Sequence, residues 1–296
     1  MAINLQQPKR LLTLSLAVTA PIALVEVVAG ILSNSISLVS DSVHMFTDVM
    51  AIALSLFAIT MAARSHSGVM TFGYHRAEVL AALANGVALS AISVWVLYEA
   101  FLRVMSPRLI DAPLMLAAAG IGLAGNLAVM FLLKHHAGKS INIQSALVHV
   151  IYDAVSSVAV IITGFIALHT GITVVDPLVA FLIAGLVARS AYTIVRSSTH
   201  ILLEGAPREL DMQQVISTLR QLDGVVDVHD LHVWTISTGM DALSGHVVVR
   251  DQMLSQSSKL LDDINKVLAE RYNITHTTLQ LENEQKVSFR RTATKS

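Results

Sequence analysis

Cysteine is absent from the 296-residue sequence, and charged residues are scarce at 14%. The absence of cysteine excludes disulfide bonds and thiolate metal sites. Soluble domains carry about 25% charged residues. The scarcity of charge, together with a mean hydropathy of +0.63, therefore indicates an integral membrane protein in contact with the lipid bilayer. The formal net charge is −1, so the chain has no basic field with which to bind nucleic acid.

Long apolar runs are abundant instead. A helix needs about 20 apolar residues to cross the hydrocarbon core. Six runs meet this requirement: Leu11–Leu32, Ile36–Ala63, Val79–Leu102, Ala112–Leu133, Ile143–Leu168 and Val174–Val195. The first run is too long for a cleaved signal peptide and predicts a retained helix. We predict a transmembrane domain over residues 1–207, a soluble domain over 208–284 and a disordered polar tail over 285–296.

Basic residues fall mainly on one side of the six runs. The connections on that side contain Lys9, Arg10, Arg64, Arg76, Lys134, Lys139 and Arg196, and the other side has Arg103 and Arg108. Cytoplasmic loops carry the excess of Lys and Arg in membrane proteins. Both termini and the soluble domain are therefore predicted to be cytoplasmic.

Two of the apolar runs contain a histidine that is followed one helical turn later by an aspartate. The second run has His44 and Asp48 in HMFTD, and the fifth has His149 and Asp153 in HVIYD. Each ionisable group at that depth costs roughly 2.5–3.5 kcal/mol on insertion scales. At about 1.5 Å of rise per residue, both pairs fall near the middle of a core about 30 Å thick. The four side chains can therefore meet.

Two imidazoles and two carboxylates form a ligand set suited to a tetrahedral zinc ion. The carboxylates balance the charge of a divalent ion, and imidazole favours a transition metal over magnesium or calcium. Because ligands must lose their protons to bind metal, metal entry expels protons and proton entry expels metal. The alternative is a set of hydrogen-bonded contacts between helices, which usually return less than the burial of unneutralised acids costs.

Asp41 lies one turn before His44 on the same face of the second run. As a ligand it would compete with the four residues already named. We therefore expect it to be a hydrogen-bonding partner of His44 or a gate toward the outside. Glu99 can pair with Arg103 one turn later, whereas the role of Glu26 in the first run is unexplained by the sequence.

The soluble segment predicts the element order αββαβ. Helical spacing of apolar residues marks two helices, and stretches rich in Val and Ile mark strands. The predicted elements are Asp211–Leu222, Val225–Ile236, Ala242–Arg250, Ser257–Tyr272 and Thr275–Glu282. This order indicates a small open sheet with helices on one face, and the fold class is an α-helical membrane domain followed by an α+β domain.

These motifs resemble the cation diffusion facilitator family, in its zinc-transporter branch and of the bacterial zinc/proton antiporter type. The resemblance covers essentially the whole chain. It rests on HMFTD, HVIYD, TFGYHRAE after the second run, LLEGAP after the sixth, and DVHDLHVW, SGHVVV and HTTLQLE in the soluble domain. It implies a homodimer of six-helix subunits with ferredoxin-like cytoplasmic domains, which exchanges divalent metal for protons.

The resemblance also implies a regulatory zinc site in the cytoplasmic domain. Its ligands would be His229, His246 and Glu282, with His276 as a candidate further ligand. His229 and His232 are three residues apart, so in a regular strand they point to opposite faces and cannot serve one site. Ordinary surface histidines are the alternative, since neither cysteine nor tight ligand spacing supports the site.

Similar transporters can carry a peripheral metal site in the loop between the second and third helices, where this sequence has His66 and His75. Met70 and Tyr74 stand where the three-ligand form of that site would have ligands. A weak site and a solvated histidine are therefore both open.

Similar transporters also have opposite charges at the positions of Arg76 and Glu204, which the predicted topology puts at the same membrane surface. We expect the two to pair at a partly desolvated hinge between the helices and the cytoplasmic domain. The alternative is a pair of exposed charges, which usually contribute about 0–1 kcal/mol.

The sequence thus predicts a proton-coupled zinc exporter in a bacterial inner membrane, and not an enzyme. Cadmium, cobalt, iron or manganese are alternative ions for the same site. A membrane-embedded zinc hydrolase is disfavoured, because the sequence has neither an H-E-x-x-H motif nor a clear general base beside the site. A metal sensor that signals through its soluble domain is the third alternative.

Overall fold

Six long helices come first along the chain, and a small mixed domain follows them. The computed structural model describes residues 6–62, 70–134, 141–237 and 239–284. The long helices are α1 (Gln6–Leu32), α2 (Ile36–Ala62), α3 (Arg76–Met105), α4 (Ala112–Lys134), α5 (Ile141–Thr170) and α6 (Val175–Leu202). The six predicted apolar runs are therefore all helical.

These helices have the length and composition of membrane spans. In their described residues, five of the six, all except α2, are apolar enough to cross a membrane. The α2 helix has 27 residues, and its sequence is equally apolar. Within lipid the backbone must satisfy its own hydrogen bonds, which favours helix over the whole run. The α3 and α6 helices extend several residues past the predicted apolar ends, since a helix can continue where it leaves the hydrocarbon core.

The six helices share one apolar core in which small residues allow close packing. A cluster of buried side chains includes members from every helix: Ala29, Leu38, Leu89, Met115, Val160 and Ile183. Gly164 on α5 lies against Leu116 on α4, where a Cβ would collide with the leucine side chain. Helices in lipid associate largely through such close contacts between small residues.

The start of α2 is fixed by a carboxylate from another helix. Asp176, in the first turn of α6, accepts hydrogen bonds from the backbone N–H groups of Ile36 (2.8 Å) and Ser37 (3.2 Å). The hydroxyl groups of Ser35 and Ser37 each donate to the same carboxylate at 2.6 Å. The first N–H groups of a helix have no partner within it. Asp176 supplies that partner and places negative charge at the positive end of the helix dipole.

The second part of the chain has the predicted order αββαβ. Its elements are α7 (Met212–Arg220), β1 (Val225–Ser237), β2 (Met240–Val249), α8 (Leu254–Tyr272) and β3 (His276–Asn283). The strands form one sheet in the order β1-β2-β3, with β1 and β2 antiparallel and β2 and β3 parallel. Both helices contribute to the core on one face of this sheet, where Leu219 and Ile264 are fully buried. The predicted fold class is confirmed.

Strand β1 is irregular at the point where it carries two histidines. His229 pairs with His246, but His232 pairs with Ser244, so three residues on β1 match two on β2. Asp230, within this bulge, has a φ of 51°. An extra residue in one strand shifts the alternation of faces by one position, so the residues beyond it point to the face opposite to that expected in a regular strand. His229 and His232 therefore lie on the same face of the sheet, and the expectation that they point to opposite faces was wrong.

The chain divides into two compact units. The first comprises Met1–Thr60 and Ala81–Val195, and the second comprises Met61–Leu80 and Arg196–Ser296. The described residues 61–62, at the end of α2, and 70–80, around the start of α3, thus belong to the second unit. The predicted boundary near residue 207 divides the chain at a single point, whereas the second unit also includes residues from before that point.

The buried cap on α2 should be worth more than an exposed one. We predict that Asp176→Ala lowers stability by about 1–3 kcal/mol, because it leaves buried donors without an acceptor. Asp176→Asn retains one acceptor oxygen and should fall between the alanine variant and the wild type. Thermal unfolding of the purified protein in detergent measures the order.

Asp111→Ala is the matched control for this experiment. Asp111 is exposed, and its carboxylate accepts a hydrogen bond from the N–H of Leu114 at the start of α4. When an exposed capping side chain is removed, water can take over part of its hydrogen bonding, so the loss of stability in Asp111→Ala should be smaller than in Asp176→Ala. Equal losses at Asp111 and Asp176 would contradict the importance of the cap on α2.

Candidate functional site

Two of the four predicted transport ligands approach each other between α2 and α5. The Nε2 atom of His44 lies 3.6 Å from Oδ1 of Asp153, and the Asp153 side chain is 4% exposed. This separation is longer than a hydrogen bond. In tetrahedral zinc sites with bonds of about 2.0–2.2 Å, neighbouring ligand atoms are about 3.3–3.6 Å apart. The two atoms are therefore spaced to bind one ion together.

The other two predicted ligands lie on the same helices. The side chains of Asp48 and His149 are outside the part of the chain that the structure describes. Their helices are continuous, so Asp48 follows His44 by one turn on α2, and His149 precedes Asp153 by one turn on α5. Their membership of the site stays a prediction.

Asp41 joins α2 to α5 beside this pair. It is fully buried, and its carboxylate accepts hydrogen bonds from the hydroxyl groups of Ser156 and Ser157. The hydroxyl oxygen of each serine is also 3.0 Å from the backbone carbonyl of Asp153, so its single proton is shared between the two acceptors. Asp41 therefore contacts the turn of α5 that follows Asp153 and holds that turn against α2.

The sequence interpretation missed the two serines. It treated Asp41 as a partner of His44 or as a gate, and it assigned no role to Ser156 or Ser157. The available signal was the pair of adjacent hydroxyl residues one turn after Asp153 in an otherwise apolar helix. Hydroxyl groups in such helices commonly satisfy polar groups on neighbouring helices.

A second group of possible ligands lies on the sheet of the mixed domain. The side chains of His229, His246 and Glu282 offer ligand atoms that all lie within 4.8 Å of one another. Glu282 is nearly buried, and it is 3.2 Å from Nε2 of His229 and 3.0 Å from Nδ1 of His246. Two imidazoles and a carboxylate fit a zinc ion whose fourth position is open.

The sheet register explains why these three residues meet. His229 stands directly opposite His246 on the neighbouring antiparallel strand, and the two rings stack at 5.2 Å. In the parallel pair, Val248 matches Glu282, so the glutamate lies on the same face as His246. Gln280 donates a hydrogen bond of 3.0 Å to Glu282 and helps to orient it.

The electrostatics of this group favour an ionised glutamate. The hydrogen bond with His246 is the main cause that lowers the pKa of Glu282 below its ordinary value, and the hydrogen bond with His229 lowers it further. Burial raises this pKa, but the two hydrogen bonds together outweigh burial. A charged carboxylate is the form that binds metal. The group is therefore ready to exchange its histidine contacts for a cation.

Two other histidines of this domain lie apart from the three. His276 is exposed, and its ring meets that of Phe72 edge to face at 5.4 Å. His232 contacts Asp230 at 3.0 Å and is also exposed. Among the residues that the structure describes, the only close group of three metal-binding side chains excludes both. The structure thus brings together three of the four residues predicted for the cytoplasmic site.

The peripheral loop site has no support from the described residues. His75 is half-buried in the turn before α3, and it belongs to no close group of three possible ligands within the described ranges. His66 lies outside those ranges. The loop site stays a prediction.

The predicted charge pair is formed. Arg76 Nη2 lies 3.1 Å from Glu204 Oε1, and the two side chains are 38% and 63% exposed, so only the arginine is more than half buried. The role of the pair as a hinge stays a prediction. Exposure reduces the contribution of such a pair to about 0–1 kcal/mol.

The chain matches two family models that together cover most of its length. The cation efflux transmembrane domain matches residues 12–203. The cytoplasmic domain of the cation efflux proteins matches residues 207–284. The first match extends from within α1 to the end of α6, and the second includes the αββαβ domain.

The similarity to several bacterial proteins extends over nearly the whole chain. The cadmium, cobalt and zinc/H(+)-K(+) antiporter of Bacillus subtilis is 38% identical, over 93% of this chain and 89% of that protein. The metal cation efflux system protein CzcD of Cupriavidus metallidurans is 37% identical, over 93% and 86%. The zinc transporter ZitB of Escherichia coli is 37% identical, over 92% and 87%.

The group on the sheet yields a direct test. We predict that His246→Ala weakens zinc binding at this site by at least about tenfold, because one ligand is lost and the glutamate loses its orienting contact. Competition with a chromophoric chelator on the full-length protein should show one fewer tightly bound ion per chain.

His232→Ala is the matched control, since His232 lies on the same strand and face but outside the group. It should bind zinc like the wild type. If both variants bind zinc as the wild type does, the three residues do not form a metal site.

Proposed function

The chain belongs to the cation efflux family, and from this premise we propose that it exports Zn²⁺ across the membrane in exchange for protons. The observation that carries the proposal is the His44–Asp153 pair between α2 and α5. Such ionisable groups inside a membrane bundle mark ion paths and proton relays. Their chemistry suits a transition metal.

The four ligands would bind one metal ion as the cargo. His44 and Asp48 would act from α2, and His149 and Asp153 from α5. The two carboxylates neutralise the charge of the ion, which makes its passage through an apolar bundle possible. Because the same atoms bind either metal or protons, the two ligands compete. Exchange follows if the site opens to one side of the membrane at a time.

The contacts around Asp41 support a rigid ligand arrangement. Since Asp41 on α2 accepts hydrogen bonds from the serines that follow Asp153 on α5, the two ligand-bearing helices are joined beside the site. A site with fixed geometry discriminates between metal ions by ligand type and spacing. We assign Asp41 this positioning role.

The cytoplasmic domain would respond to zinc through His229, His246 and Glu282. Those residues would hold a regulatory ion, and His276 is a candidate further ligand only if β3 or its neighbours move. We further propose that two chains associate as a homodimer through their cytoplasmic domains. Both termini would face the cytoplasm, and the membrane would be the inner membrane of a bacterium.

Other metals are the main alternative as cargo. Two of the similar proteins carry cadmium and cobalt or a general metal cation in their names. Nitrogen and oxygen ligands bind several divalent transition metals. Uptake by proteoliposomes of several ions under one fixed pH gradient would rank them, and it would also distinguish a transporter from a hydrolase or a sensor.

The transport site can be tested at Asp153. We predict that Asp153→Ala abolishes zinc transport in proteoliposomes but leaves the protein folded. The ion would lose one ligand and half of its compensating charge, whereas removal of a buried acid does not penalise helix insertion. Asp153→Asn should fail as well, because an amide supplies no negative charge.

Asp111→Ala controls for the loss of an aspartate in the helical unit, since Asp111 is exposed at the start of α4. It should keep transport. Wild-type transport rates in well-folded Asp153→Ala protein would rule out the proposed site.

The Arg76–Glu204 pair tests whether the start of α3 is coupled to the region after α6. We predict that Arg76→Glu and Glu204→Arg each reduce zinc transport, and that the double reversal recovers part of the loss. The coupling should be at most about 1 kcal/mol, or about fivefold, because the pair is exposed. Higher salt should reduce it further. A double variant no better than the summed singles would mean that the pair is uncoupled.

A further inference from the structure

Glu26 is a buried carboxyl group for which the proposed site has no use as a ligand. It lies in the second half of α1, and its side chain is 0% exposed. Among the residues that the structure describes, neither carboxylate oxygen has a hydrogen-bond partner. From Leu11 to Leu32 the sequence contains no Lys, Arg or His, so the apolar part of α1 offers no compensating charge, and Lys9 and Arg10 lie about four turns or more before Glu26.

The space for this side chain is provided by α4. A Cβ at Gly122 would collide with Oε1 of Glu26, so only glycine fits opposite the carboxyl group. The α4 helix carries no charged residue before Lys134, at its last position. Gly122 therefore gives the carboxyl group room but neither a charge nor a side-chain donor.

Among the described residues, two further acids, Asp41 on α2 and Asp153 on α5, lie near enough to repel a negative charge on Glu26. Both are buried. On the same helices, His44 approaches Asp153, and the side chains of Asp48 and His149 are outside the described residues. An ionised Glu26 would be unsolvated and would also be repelled by two neighbouring carboxylates. A bound proton removes both penalties while the metal site is empty.

From this arrangement we propose that Glu26 holds one of the protons that the protein exchanges for its metal ion. The inference rests on the proposed function. When a divalent cation enters between α2 and α5, its positive charge stabilises the ionised carboxylate of Glu26. The O–H bond breaks, and the proton leaves to the aqueous side to which the site is open. When the ion departs, a proton from that side returns to the carboxylate, so that metal and proton binding oppose each other.

The test counts protons released on zinc binding. The purified full-length protein carries His246→Ala throughout, so that the group on the sheet binds zinc weakly and contributes few zinc-linked protons. Calorimetric zinc titrations in buffers of different ionisation enthalpy give the number of protons released per ion. Glu26→Gln resembles the protonated acid in size and charge, and it should release about one proton fewer than its parent. Its zinc affinity should depend less steeply on pH by about one proton.

Two matched variants separate the proton from other effects of the substitution. Glu26→Asp keeps an ionisable group and should release as many protons as the parent. Glu99→Gln removes another glutamate of the helical unit, one that is paired with Arg103 at 3.0 Å and Arg108 at 3.1 Å. Because that glutamate is already neutralised by arginine, its loss should leave the proton count unchanged.

An unchanged proton count in Glu26→Gln protein that binds zinc would overturn the proposal. Loss of zinc binding in this variant would make Glu26 part of the metal shell, and it would overturn the proposal as well. The proposed function fails separately if the wild-type protein in proteoliposomes moves no metal, and in that case the role of Glu26 falls with it.

Discussion

The cost of an unpartnered polar group inside an apolar bundle governs the arrangement of the six long helices. Asp176 meets four donors at the start of α2. Asp41 meets two serines of α5, and Asp153 lies beside His44. Each acid thereby brings two helices together at a defined height. The His44–Asp153 pair and the Asp41 contacts lie on the same stretch of α2 and α5, so the hydrogen bonds that join these helices also position the proposed ligands.

Glu26 departs from this rule, and its departure separates two kinds of buried acid. An acid with several hydrogen-bond donors acts as a structural cross-link between helices. An acid that faces a glycine and two other acids gains no such support. A chain that must bind protons in turn with metal needs both kinds, because a fully satisfied carboxylate has little tendency to take up a proton.

Much of the fold could be predicted from periodicity alone. The six apolar runs became helices, and the αββαβ order was confirmed, because hydrophobic patterning is local information. The HxxxD spacing also pointed to His44 and Asp153, which the structure brings near each other, and the role of the four residues as transport ligands stays a prediction. Contacts that depend on register between distant elements could not be read in this way. The bulge at Asp230 puts His229 and His232 on one face of the sheet. The hydrogen bonds of Asp41 with Ser156 and Ser157 depend on how α2 and α5 align, which the sequence pattern does not give. Exposure of the Arg76–Glu204 pair depends on tertiary packing in the same sense.

The two anchors on α2 constrain how this helix can move. Asp176 binds its first residues, and Asp41 binds α5 little more than one turn later, so both attachments lie in the first third of a helix that extends to Ala62. A rigid-body movement of α2 that preserves these buried hydrogen bonds is a rotation about the anchored end. In such a rotation the displacement of the helix increases from that end toward Ala62. His44 lies close to that pivot and would move least. The separation between His44 and Asp153 would therefore change little in such a movement, whereas the far end of α2 would be displaced most.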